Sequence, residues 1–125
     1  MKALCFGFAF TLFASTAQAD MLSRWETSEE AIREQVLVLH GSGARYRDWT
    51  AADRNGKACL LSAMVQEFGR PAVESFIQEL ESTAARRMSY SDPFALSVDW
   101  ARAAPLNRIQ YDDVAPLAQA CNSTF

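Results

Sequence analysis

The sequence predicts an all-α fold: a small bundle of four helices, with room for a fifth, stapled by one disulfide and preceded by a cleaved signal peptide. Three observations carry that expectation. Apolar residues recur at helical spacing from Thr50 to Arg87, interrupted once at Gly69-Arg70-Pro71. The segment from Met1 to Ala19 has the layout of an export leader. Cys59 and Cys121 are the two cysteines left once such a leader is removed.

The leader combines Lys2, an apolar run from Ala3 to about Ala14 and the small-residue ending Ala17-Gln18-Ala19, so the cut is expected before Asp20. Its apolar run falls short of the ~20 residues a membrane helix needs, and Cys5 leaves with it. Residues 20–125 then form a single helical domain, exported to a periplasm or secreted, with no membrane insertion after cleavage. Without Lys2, 11 basic side chains stand against 15 acidic ones, a net charge of −4 with no block of like charge. That balance weighs against nucleic acid or an anionic membrane surface as a partner.

In chain order, Asp20 to Trp25 is expected to be a loosely held arm with Trp25 at the domain edge. Thr27-Ser28-Glu29-Glu30 reads as a capping box, followed by Ala31, Ile32, Val36 and Leu39 at helical spacing and a stop at Gly41. Val36-Leu37-Val38-Leu39 also suits a strand, so residues 32–39 stay open between helix and strand. The loop from Gly41 to Trp49 carries Arg45, Tyr46, Arg47 and Trp49, a candidate surface contact because guanidinium forks grip carboxylates and aromatic faces stack. The competing reading has Tyr46 and Trp49 seal the edge of a core.

Thr50, with Asp53 three residues on, caps the next helix, whose Leu60, Leu61, Met64, Val65 and Phe68 share one face. Gly69 suits a left-handed stop and Pro71 a helical restart, giving a tight antiparallel hairpin expected to organise the chain. Its second helix turns Val73, Phe76, Ile77 and Leu80 inward and Glu74, Gln78, Glu79 and Glu81 outward, with Arg86 and Arg87 at the negative end of the dipole. Ser91-Asp92-Pro93 opens a further helix that ends before Pro105, with Phe94, Val98 and Ala101 on one face and Leu96 and Trp100 on another. Ile109 and Tyr111 cover the bundle. Asp112 or Asp113 caps the last helix, Pro116 falls in its first turn, and Val114, Leu117, Ala118 and Cys121 form its inner face.

Cys59 lies across its helix from the Leu60/Leu61/Met64 face, in line with Ala52 and Ala63, and so faces a different partner. Cys121, on an inner face, is that partner. A Cys59–Cys121 bridge closes a loop of about sixty residues, which the chain-entropy argument values at roughly 4 kcal/mol. Two isolated thiols and a single histidine do not make a zinc set, and nothing in the chain implies a metal or cofactor.

For function, Glu29, Glu30, Glu67, Glu74, Glu79 and Glu81 read as solvated helix faces, and no phosphate-binding glycine loop is present. Asn122-Ser123-Thr124 matches the N-glycosylation acceptor pattern. Leu39-His40-Gly41-Ser42-Gly43 resembles the strand end and oxyanion loop of α/β-hydrolases, which implies roles for Ser42 and His40 in ester cleavage; the G-x-S-x-G elbow of those enzymes is absent. The expected protein is a non-catalytic binding or accessory factor acting through protein contacts, such as an envelope factor, an inhibitor or immunity protein, or a stress chaperone. The alternative is a carrier of a small apolar ligand, its pocket lined by Met64, Phe68, Phe76, Phe94 and Trp100.

Overall fold

The computed structural model describes residues 4–43 and 47–125, with side chains from Thr16 onward. The proposed leader therefore lies largely outside the described side chains, as do Arg45 and Tyr46. Five α-helices follow one another: α1 (Leu4–Leu39), α2 (Ala51–Phe68), α3 (Arg70–Arg86), α4 (Pro93–Leu106) and α5 (Tyr111–Ala120), with a 3₁₀ turn at Arg87–Ser89. No strand occurs among the described residues. Over the described residues the fold is all-α with five α-helices, and Val36 to Leu39, open between helix and strand in the sequence, is helix.

The local signals around α2 and α3 act as expected. Thr50 and Asp53 form a reciprocal capping box: the Asp53 N–H donates to Thr50 Oγ1 at 3.1 Å and the Thr50 N–H to Asp53 Oδ2 at 2.8 Å. Those hydrogen bonds to Thr50 hold the Asp53 carboxyl below its usual range. Gly69 takes φ +86° and ψ 149°, a region open in practice to glycine alone, and its N–H closes α2 on the Val65 carbonyl. Asp92 caps α4 by accepting the Phe94 N–H at 3.0 Å, with Pro93 at the helical start.

α1 joins the α2–α3 hairpin at the centre of the molecule, where α3 in turn packs against α1, α2 and α4. α1 itself packs against α2, α3 and α4, whereas α5 rests on α2. Asp20 to Trp25 is no arm: it lies within α1, with Met21 and Trp25 buried in the core. Thr27 to Glu30 caps nothing, since helix precedes it by several turns, and Ser28 and Glu29 are buried. A four-residue capping pattern is satisfied equally well by a helix interior once tertiary packing favours continuing the helix. Arg24 helps tie α1 to α3, donating to Glu74 at 2.6 Å and to Glu81, so these two carboxylates are partners rather than solvated faces. The two hydrogen bonds, Glu81 first, hold the Arg24 guanidinium above its ordinary range.

Two helix ends also depart from expectation. α4 runs through Pro105 to Leu106. Proline removes the N–H that would bond Ala101, and Tyr111 Oη supplies the substitute, donating to the Ala101 carbonyl at 2.7 Å. α5 starts at Tyr111 with Gln110 as its cap, which places Asp112 and Asp113 in the first turn and Pro116 further inside. On α4 the buried face is Leu96, Ala103 and Ala104, while Phe94 is 74 % exposed. Ile109, Val114 and Ala118 close the core on the α5 side, with Leu117 packed against it.

Candidate functional site

The Cys59–Cys121 disulfide joins the middle of α2 to the residue that ends α5, Cα to Cα 5.7 Å. Beyond it, residues 122–125 are laid back over α2. They pass close to Gly56, where an added Cβ would meet Ser123 Cβ at 3.3 Å and the Asn122 carbonyl oxygen at 3.4 Å. The absent side chain lets the tail lie directly on the helix. Phe125 then enters an aromatic cluster with Trp25 (ring centroids 6.0 Å), Phe76 (5.5 Å) and Tyr111 (5.5 Å). Trp25 is its centre, also meeting Phe76 at 5.7 Å and Trp49 at 6.1 Å edge to face.

Between this tail, α1 and the start of α2 lies a cleft of about 400 Å³, lined by Glu29, Arg33, Leu37, Arg47, Trp49, Asp53, Lys57 and the tail residues Asn122 to Thr124. Its α1 wall is a stripe at four-residue spacing, Glu29, Arg33 and Leu37, which continues one turn back to Trp25 outside the cleft. Its floor is Lys57. Only 4 % of this lysine is exposed, because Lys57, Leu60, Leu61 and Met64 stand at i, i+3, i+4 and i+7 on the buried face of α2. The ammonium is held between two indole rings, 4.8 Å from the Trp25 centroid and 5.5 Å from that of Trp49, and Nζ donates to the Thr124 carbonyl.

The other charges of the cleft are paired. Glu29, 2 % exposed, accepts from Arg33 at 2.8 Å, and the Arg33 guanidinium lies 4.7 Å from the Trp100 ring centroid. Arg47 reaches Asp53 at 3.4 Å. A second recess of about 210 Å³ shares Glu29 and is walled by Trp25, Phe76, Trp100, Ala101, Tyr111 and Phe125. No known protein family, curated protein or solved structure matches this chain. Its reading therefore rests on this geometry.

Of the loop residues singled out in the sequence, Arg47 and Trp49 border the cleft, Arg47 exposed and Trp49 buried against Trp25. Of the proposed carrier lining, Phe76 and Trp100 meet at the smaller recess, Met64 is buried core, Phe68 packs at the core margin and Phe94 faces solvent. The strand that the hydrolase resemblance needs before His40 is the last turn of α1. Among the described residues no group of three or more His, Cys, Asp or Glu side chains is placed to hold a metal ion. No expectation from the sequence attaches to Lys57, while Glu29, expected on a solvated face, and Trp25, expected at the domain edge, are both buried. For Lys57 the signal is the apolar stripe of α2, which continues one turn N-terminal of Leu60 onto a lysine; the burial of Glu29 and Trp25 on α1 has no counterpart in that stripe.

Burial pushes the Lys57 ammonium below the ordinary lysine range; Glu29 opposes that shift, Arg33 adds to it and Asp53 opposes it, with Arg47 the further charge facing the cleft. Between the lowered folded value and the ordinary one near 10.4, the unfolded chain binds more protons than the folded one. Stability from this group therefore rises with pH across that window, and below it the full desolvation penalty persists. Lys57→Met, which keeps an unbranched stem between the tryptophans, is expected to flatten this rise. Denaturation midpoints of both proteins over an alkaline pH series check it, since the opposing contributions of Tyr90 and Tyr111 are common to both and cancel. Parallel curves for the two proteins would contradict it.

Proposed function

We propose that this chain is an exported, non-catalytic binding protein whose recognition site is the cleft beneath its C-terminal tail. The observation that carries the reading is a buried ammonium, gripped by two tryptophans, forming the floor of an open cleft of about 400 Å³. Burying a charge is costly unless an interaction repays it, and the volume falls in the range of small-molecule sites. A binding role is supported over a catalytic one because both carboxylates of the cleft are engaged, Glu29 with Arg33 and Asp53 with Thr50 and Arg47. Neither is poised as a general base. Export is supported by the leader pattern in the sequence, with which a disulfide is compatible.

Native mass spectrometry of the mature oxidised protein, purified from its own host without denaturation, tests the reading. A retained small-molecule mass that disappears in Lys57→Met is the expected result. Retention unaffected by that substitution would place the ligand elsewhere and defeat it.

A protein-contact reading has one specific observation in its favour. Val38 and Met88, 60 % and 72 % exposed, border a groove between α1 and the 3₁₀ turn together with Thr27, Glu30 and Glu34. A stoichiometric partner captured from envelope extract and lost in Met88→Glu would shift the balance to that surface.

A further inference from the structure

We infer that the cleft over Lys57 takes a small monocarboxylate, its anionic end directed at the lysine and its apolar body lying against Leu37 and Trp49; this deepens, and rests on, the binding reading above. The argument starts from charge. Three cations, Arg33, Arg47 and Lys57, face two carboxylates, Glu29 and Asp53, leaving one positive charge in excess. The pairing is specific: Glu29 is joined to Arg33 and Asp53 to Arg47, whereas the hydrogen bond of Lys57 goes to a neutral carbonyl and its remaining contacts are ring faces. No carboxylate among the described residues lies within ion-pair distance of Lys57. The excess charge thus sits on the most buried of the three cations, in a protein whose net charge is negative.

A ligand that supplies one negative charge there completes the electrostatics of the cleft. A dianion overshoots it, since the second charge meets Glu29 and Asp53. A cation meets Lys57 itself. Leu37 and Trp49 add an apolar wall, which selects a carboxylate carrying a hydrocarbon or aromatic body over a bare inorganic ion. The tail is part of the site, because Thr124 holds the ammonium in place and Asn122 and Ser123 form the opposite rim.

Benzoate, its neutral isostere benzamide and inorganic phosphate are suitable probes, applied to the full mature protein with its disulfide formed, at constant ionic strength. Isothermal titration should show saturable benzoate binding that raises the melting temperature, with no comparable response to benzamide or phosphate. In Lys57→Met, benzoate affinity should fall about tenfold to a hundredfold, the value of one hydrogen bond to a charged group. Proton uptake on benzoate binding in the alkaline range, read from buffer-dependent heats, is the accompanying signature, because a bound anion restores the proton affinity that burial removed. The comparison of benzoate with benzamide uses the unaltered protein and decides the matter even if the variant folds poorly. Equal binding of benzamide, preference for phosphate, or benzoate binding indifferent to Lys57 would each overturn the carboxylate assignment. Where benzamide or phosphate binds in a Lys57-dependent way, only that assignment falls; where every probe is silent and no ligand mass is retained, the binding reading falls with it.

Discussion

Trp25→Ala is expected to destabilise the protein by about 3–5 kcal/mol, the range for truncating a large aromatic in a packed core. Trp25 is 2 % exposed and its ring contacts those of Trp49, Phe76 and Phe125 while one face receives the Lys57 ammonium. Its removal leaves a cavity bordered by three aromatic rings and an ammonium with one indole fewer. Neighbouring rings relax only in part, so the cost includes both lost transfer energy and the void. Urea denaturation followed by far-ultraviolet circular dichroism measures it. Were residues 20–25 the loose arm that their sequence suggests, the same substitution would cost no more than about 0.5 kcal/mol, as surface changes do. A loss that small would remove Trp25 from the core and the site with it.

Replacing both members of the Cys59–Cys121 bridge by serine is expected to cost about 4 kcal/mol, since the bridge spans a sequence separation of 62 residues. For a domain of this size the melting temperature should fall by roughly 15 °C or more. The oxidised protein should show no free thiol to alkylating reagents. A second effect separates this bridge from a mere staple. Cys121 immediately precedes the segment that carries Thr124 to Lys57 and Phe125 to the aromatic cluster, so release of the sulfurs should loosen the tail. Hydrogen exchange across residues 122–125 should quicken in the serine variant under conditions where α3 remains protected. A variant as stable as the parent, with an equally protected tail, would mean that packing on Gly56 and the aromatic cluster hold this end unaided.

The sulfur pairing was open to inference because cysteine count and helical register restrict it jointly. Cys59 falls off the Leu60/Leu61/Met64 face and Cys121 shares a face with Val114 and Ala118, which fixes their facing directions before any packing is known. The capping box at Thr50, the stop and restart at Gly69 and Pro71, and the Asp92 cap were equally open, since each depends on atoms within four residues of one another. The extent of α4 was not. Its passage through Pro105 depends on a hydroxyl from Tyr111, which chain order places after the turn.

What the amino-acid order determined by itself is the helical content, most helix boundaries and the covalent closure, because these are set by short-range hydrogen bonding and by the period of the apolar residues. Tertiary structure alone decided that residues 20–25 belong to α1 with Trp25 in the core, that Glu29 and Lys57 are buried, and that a cleft opens over the lysine. The physical reason is that a charge on a helix is neither solvated nor buried until other segments arrive. Lys57 looks like any surface lysine until Trp25, Trp49 and Thr124 converge on it from positions 32, 8 and 67 residues away along the chain.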